Sequence, residues 1–264
     1  AYAAGVDLPS LLFLRFALAG LTMAAVMQWR RLRWPRGGNL LALMAMGGVG
    51  YLGQSLCYFA ALQHATAGLT ALLLYLYPAI VTVLSALMAR RRLSLLRILA
   101  VAAALLGTGL AVGGSLAGSP LGILLGVGAA LIYSVYILVG ERVTPVAGAI
   151  PSATVIMLSA ALGYGLIVLW RGPAFPTSPA AWAAVGGIVV LSTVVAMITF
   201  FAGMARLGAA DAATLSTLEP VVTVVLAATF LAEAVGGWQI AGGAIILAAV
   251  VVLARAGEST KAPG

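Results

Sequence analysis

Nine apolar runs follow one another along this chain, at residues 8–29, 39–61, 67–88, 94–113, 120–140, 151–170, 180–205, 211–231 and 238–254. An α-helix of about 17–25 apolar residues crosses the ~30 Å hydrocarbon core of a bilayer. No other feature restricts the fold so severely. Inside lipid, every backbone N–H and C=O has to find its partner within the protein, which leaves helices and closed barrels as spanning structures. The runs are rich in helix formers and lack the alternating polar pattern of barrel strands. An all-α integral membrane protein is therefore expected. Composition closes the soluble alternative: 63% of the 264 residues are hydrophobic and 8% charged, against about 25% charged in a typical soluble domain.

The connections between runs are short, so consecutive helices are expected to be antiparallel neighbours in a single transmembrane domain covering 1–264. RRLRWPRGG (30–38), RRRLSLLR (90–97), GGSLAGSP (113–120) and RGPAFPTSP (171–179) mark the principal loops. Arg30, Arg31, Arg33 and Arg36 follow the first run, and Arg90, Arg91, Arg92 and Arg97 follow the third. Counting spans onward puts Arg142, Arg206, Arg255 and Lys261 on the same side. Of the 14 Lys and Arg, twelve share that face, Arg171 lies opposite, and Arg15 falls within a run. The positive-inside rule makes the arginine-rich loops and the C-terminus cytoplasmic. It also accounts for the net charge of +8 without nucleic acid as a partner. The single cysteine, Cys57, excludes an intrachain disulfide framework and any multi-cysteine metal site. No cofactor is expected.

YFAALQHATAGLTALLLYLYPAIVTVLSA (58–86) aligns without a gap on FFAGMARLGAADAATLSTLEPVVTVVLAA (200–228), at an offset of 142 residues. Ten of the 28 pairs from Phe59/Phe201 onward are identical, among them Ala60/Ala202, Ala71/Ala213, Leu76/Leu218, Pro78/Pro220 and Leu84/Leu226. The same offset sets Pro9-Ser10 against Pro151-Ser152. The chain thus reads as two repeats, 1–113 and 120–254. The mate of the run at 120–140 would lie before residue 1. The first repeat is therefore expected to be incomplete, and the native chain to open with one further helix. Ten helices as five plus five would place the second repeat upside down relative to the first. That inverted 5+5 architecture is common among secondary transporters.

Two five-helix repeats, each with a small-residue hairpin leading into a mid-helix proline, resemble the drug/metabolite transporter superfamily and within it the EamA-type bacterial carriers. The PSLLFLRF stretch (9–16) is similar to that family's second helix. The resemblance runs over essentially the whole chain and is nearest to the bacterial exporters of aromatic and other amino acids. It implies a secondary transporter that exports small metabolites, amino acids including aromatic ones, across the bacterial inner membrane by alternating access. It also implies a central cavity lined by the first four helices of each repeat, with the fifth at the periphery. The runs 94–113 and 238–254 suit that place, being rich in Ala and Gly, and Gly109 with Gly113 has the spacing of a close helix contact. A carrier of another small metabolite or of a drug fits the same fold.

Polar residues within the runs are the candidates for a substrate site. Glu219 is the ninth residue of its run and so lies near the midplane, where a charged carboxylate costs about 2.5–3.5 kcal/mol. One reading is a coupling or amine-binding group at a broken helix. The other, slightly preferred, is local repair. Pro220 leaves the carbonyl of Ser216 without its usual donor, and a protonated Glu219 side chain would supply one. Tyr77 is the repeat mate of Glu219, so two-fold symmetry does not require a carboxylate there.

Tyr51, Gln54 and Tyr58, spaced i, i+3, i+7, share one helix face; Tyr58 also suits an interfacial belt. Tyr75 and Tyr77 stand about 200° apart on a regular helix, so both reach one cavity only where Pro78 distorts it. Tyr133 and Tyr136 make a similar pair, with helix packing the plainer account. Pro78 and Pro220 are candidate hinges at equivalent places. Arg15 lies about 10 Å below the outer end of its helix. It is expected to snorkel or to pair internally, in a structural part. His64 reads as interfacial and Asp211 as a helix N-cap.

The inventory is thin for an enzyme. There is no H-E-x-x-H, no G-x-S-x-G and no pair of carboxylates, and the chain has one histidine and one cysteine. A passive channel would want rings of like charge or carbonyl filters, which the sequence does not display.

Overall fold

The computed structural model describes residues 6–90, 93–112, 117–230 and 236–259. Arg91, Arg92, Gly113 and Lys261, and the side chain of Arg255, lie outside the described residues. Among the described residues are nine helices: α1 (Leu8–Trp29), α2 (Gly37–Ala61), α3 (Ala67–Met88), α4 (Leu95–Val112), α5 (Pro120–Ala147), α6 (Ala149–Arg171), α7 (Pro179–Leu207), α8 (Ala209–Phe230) and α9 (Gly237–Ser259). The first eight are long and apolar enough to cross a membrane, and α9 has a shorter apolar part, Gly237–Val252.

Helices and apolar runs correspond one for one. The largest departure is in α5, expected to end at Gly140. The helix instead continues through Glu141, Arg142 and Pro145 to Ala147. Charge ends an apolar run without ending backbone hydrogen bonding. The stop comes at Gly148, whose φ of 87° favours glycine and whose N–H bonds the Thr144 carbonyl at 2.7 Å.

The 142-residue offset reappears in the backbone. The starts of α2, α3 and α4, at Gly37, Ala67 and Leu95, precede those of α7, α8 and α9, at Pro179, Ala209 and Gly237, by that interval. Helix irregularities recur with it. A π-helical segment occupies Met46–Tyr51 in α2, and another begins 142 residues later, over Ile188–Val195 in α7. α3 breaks at Tyr75 and Leu76 and restarts at Tyr77. α8 tightens into a 3-10 turn over Ser216–Leu218 and restarts at Glu219. Proline explains the second pair of breaks. Pro78 and Pro220 have no N–H, and their rings collide with the turn before them. Each stands second in the restarted helix, where the missing N–H costs nothing.

Packing divides the chain into two compact units, residues 1–53 with 138–208 and residues 54–137 with 209–264. In the first, α1 lies along α6. Gly20 makes room for Leu158, and Phe16 stacks on Tyr164 with ring centroids 5.9 Å apart. Phe16, Met23, Met27, Ile156 and Met157 are fully buried there. Gly47, in the π segment of α2, abuts the Ile156 carbonyl of α6, where any Cβ would collide.

In the second unit α4 lies along α9, and their backbones touch. A Cβ on Gly242 would stand 2.5 Å from both the Gly107 carbonyl oxygen and the Ala111 nitrogen. The close contact expected at Gly109 is therefore made by Gly107 instead, Gly113 lying outside the described residues. Gly109 meets only Leu72, at 3.5 Å. Ala104, Gly107, Thr108 and Ala111 form the buried stripe of α4, and Gly109 stands off it. Small-residue spacing identifies a possible contact but not the phase of the helix. Ala111, Ile246 and Val250 fill this junction, with Leu218 and Val221 of α8 packed on them.

Candidate functional site

The break in α3 decides where its two tyrosines point. The Tyr75 N–H bonds the Ala71 carbonyl at 3.0 Å in the helical pattern, but the Leu76 N–H takes the Leu73 carbonyl, one residue tighter, at 3.2 Å. The chain then restarts with Tyr77. The two rings, which an unbroken helix would hold on opposite sides, have centroids 6.5 Å apart. From Tyr77 the aromatic contacts continue into α5. Tyr133 meets Tyr77 edge-on at 4.8 Å and stacks on Tyr136 at 5.6 Å. The Ser134 hydroxyl donates to the Ala130 carbonyl at 2.7 Å and lies 3.4 Å from the Tyr77 carbonyl.

The matching break in α8 contributes the charge. Glu219 is the first residue of the restarted helix, where the helix dipole favours an anion. Its carboxyl lies near the Tyr75 hydroxyl, and its charge acts on Tyr58, Tyr75 and Tyr77. The Tyr77 hydroxyl is within reach of Ser216. Glu219 is exposed, Tyr58, Tyr75 and Tyr133 are partly buried, and Tyr77 is buried. Arg97 forms an ion pair with Asp211, and among the described residues no cation pairs with Glu219. The second unit thus holds an accessible carboxylate bordered by phenols.

This geometry corrects the repair reading of Glu219. The Ser216 carbonyl, deprived of a donor by Pro220, accepts from the backbone N–H of Glu219. The 3-10 turn supplies what proline withholds, and the carboxyl is not needed for it. Asp211 also departs from expectation. α8 begins at Ala209, so Asp211 stands in the first turn and not at the cap, and its carboxylate bonds Arg97 of α4. The dipole welcomes an acid at either place.

Of the residues singled out from sequence, Tyr58, Tyr75, Tyr77, Tyr133 and Glu219 come together in the second unit. Gln54 opens that unit one turn before Tyr58 and is partly buried. Tyr51 falls in the first unit, its ring edge-on to Phe16 at 4.8 Å. Pro78 and Pro220 adjoin the two breaks. Ser216 was missed as a side chain, although the STLEP stretch sets its hydroxyl three residues before Glu219.

The first unit has a charge of its own, and it pairs internally. The Nε of Arg15 donates to the Thr193 hydroxyl at 2.6 Å, and Nη2 donates to the Ser192 carbonyl at 3.0 Å. The guanidinium carbon stands 5.3 Å from the centroid of Phe16. Ser192 and Thr193 belong to the π segment of α7, where i→i+5 bonding disturbs the regular ladder of acceptors.

Comparison with known proteins follows the two halves of the chain. The family model described as the EamA-like transporter family matches residues 2–113 and again 120–255. No curated protein matches. A solved crystal structure, described only as that of a protein, superposes with a TM-score of 0.82 at 23% identity, covering 97% of this chain and 91% of the other. That likeness concerns the fold.

Proposed function

Because the chain belongs to the EamA-like transporter family, and so is a multi-pass membrane transporter of small molecules, we propose that its cargo carries an ammonium group. Amino acids, aromatic ones among them, are the substrate class we assign, exported across the bacterial inner membrane by alternating access. The observation that carries this reading is Glu219, an exposed carboxylate without a cation partner among the described residues, beside the Tyr75 hydroxyl and in electrostatic reach of Tyr58 and Tyr77. A carboxylate offers an ammonium ion a charged acceptor, and tyrosine faces add cation–π attraction of about 0.5–2 kcal/mol. The same rings receive an aromatic side chain.

Pro78 and Pro220 serve as hinges. Each adjoins a break that already departs from α-helical geometry, so a change of angle there disrupts few hydrogen bonds. The arginine-rich loops and the C-terminus face the cytoplasm in this reading.

Purified protein in proteoliposomes tests it. Labelled L-phenylalanine should enter saturably, and Tyr58→Ala should raise KM while the protein remains monodisperse. Flux that rises linearly with concentration would indicate a channel, and a modified product would indicate an enzyme.

A further inference from the structure

We infer that Arg15 recognises a carboxylate of the transported molecule. This deepens the reading above and rests on it. Two of the five N–H donors of the guanidinium are engaged by the protein, Nε by Thr193 and one from Nη2 by Ser192. Both partners are neutral. Among the described residues no acid lies within ion-pairing distance of Arg15. Its remaining partner is the face of Phe16, so no anion balances this guanidinium inside a membrane span, and such a residue is expensive to retain without a function. The free donors belong to the two terminal nitrogens, whose fork geometry matches the two oxygens of a carboxylate.

The setting favours a solute over a lipid headgroup. Thr22 lies seven residues after Arg15 on α1 and so continues its helix face; its hydroxyl donates to the Leu18 carbonyl at 2.7 Å, and that of Thr199 on α7 donates to the Val195 carbonyl at 2.8 Å. Thr22, Ser192 and Thr199 are all exposed. Their neighbours Leu21, Val190, Leu191 and Val195 are apolar and exposed as well, the ordinary composition of a lipid-facing surface. The Arg15 side chain is nevertheless drawn to Thr193, which is fully buried, and not extended outward along α1 to headgroup level. Anchoring by Thr193 and the Ser192 carbonyl fixes the guanidinium in place, which lowers the entropy lost when a ligand binds. Thr193 is itself held, its hydroxyl donating to the Ile188 carbonyl at 3.2 Å. The π segment therefore has a part to play: it presents a backbone carbonyl and a hydroxyl side by side to one arginine.

Competition against labelled L-phenylalanine in proteoliposomes of neutral lipid tests the inference with three unlabelled probes: L-phenylalanine, its methyl ester and 2-phenylethylamine. The wild type should prefer the free acid to the ester and the amine by about tenfold or more, the size of one charged hydrogen bond. Arg15→Gln should bring the acid down to the level of the ester and leave the ester and amine unchanged. Arg15→Lys, which keeps the charge and gives up the fork, should retain part of the preference. The wild-type comparison needs no variant and stands even where Arg15→Gln folds poorly. Equal inhibition by acid and ester in the wild type would refute a carboxylate site and leave the amine-binding reading intact. A preference that survives in Arg15→Gln also refutes it, as does Arg15-dependent retention of anionic phospholipid together with that unchanged preference. Absence of saturable L-phenylalanine uptake would instead overturn the proposed function, and this inference with it.

Discussion

Replacing Glu219 by Gln separates a ligand-binding carboxylate from a structural one, because the two roles move stability in opposite directions. The amide keeps the shape of the side chain and an oxygen that can accept a hydrogen bond from the neighbouring Tyr75 hydroxyl. It removes a charge that no cation balances among the described residues. A carboxylate at this depth costs about 2.5–3.5 kcal/mol on insertion scales. The dipole of the helix starting at Glu219 returns about 0.3–1 kcal/mol of that. Loss of the charge should therefore stabilise the protein by about 1.5–3 kcal/mol, or several degrees in Tm for a chain of this size. Binding moves the other way. A hydrogen bond between charged groups contributes about 1.5–3 kcal/mol, so affinity for 2-phenylethylamine or L-phenylalanine should fall about 13- to 160-fold at 1.36 kcal/mol per decade. Tyr75→Phe, which keeps the ring and removes the hydroxyl that orients the carboxylate, should cost less, about 2- to 13-fold. Thermal unfolding monitored by size-exclusion fluorescence reads the first effect and equilibrium binding to detergent-solubilised protein reads the second. A Gln variant that binds within about twofold of wild type and melts lower would show that the carboxylate serves the fold.

Gly242→Ala should destabilise the protein by about 1–3 kcal/mol, as overpacking does, because its methyl would meet the backbone of α4 at 2.5 Å. Gly109→Ala, 3.5 Å from a Leu72 methyl, should be nearly neutral in the same melting experiment. The Arg97–Asp211 pair, with side chains 35% and 33% exposed, should show a coupling of no more than about 1 kcal/mol in a double-mutant cycle, smaller still at high salt. In a Cys57→Ser background, Ser178→Cys should label with an impermeant reagent added outside the cell and Gly37→Cys should not; the reverse pattern would invert the proposed orientation.

The helices were legible because lipid imposes a length and a polarity on each one, and nine apolar runs satisfy both. The repeat was legible because Pro78 and Pro220 sit in matched stretches, and a proline acts on the backbone wherever it stands. The π segments left no comparable trace. MGGVGY and IVVLST share no residue at the common offset, so the shared irregularity follows from packing and not from a local signal. In α2 that packing is visible, since Gly47 abuts the carbonyl of Ile156. The phase of α4 was out of reach for a similar reason: Gly107 and Gly109 differ in what faces them, not in what they are. Tyr75 and Tyr77 could be assigned to one side only once the break between them was resolved.

The helix irregularities of this protein recur at the 142-residue offset and its intramembrane charges do not. Both halves carry a π segment and a proline break at matched positions, yet each intramembrane charge occurs once. Arg15 corresponds to the buried Met157, and Glu219 to Tyr77. Each charge nevertheless meets a helix irregularity from the opposite half. In the first unit an arginine from the first half is held by the π segment of the second, and in the second unit a carboxylate from the second half faces Tyr75 at the break of the first. A physical reason connects the two. A charge inside a membrane span needs polar partners at its own depth, and a regular apolar helix has none to give, since its carbonyls are already bonded. A π turn or a proline break releases backbone groups and turns side chains out of register, so it supplies those partners where an ordinary helix cannot. Such places occur twice in the chain, and one arginine and one glutamate make each unit polar in a different sense.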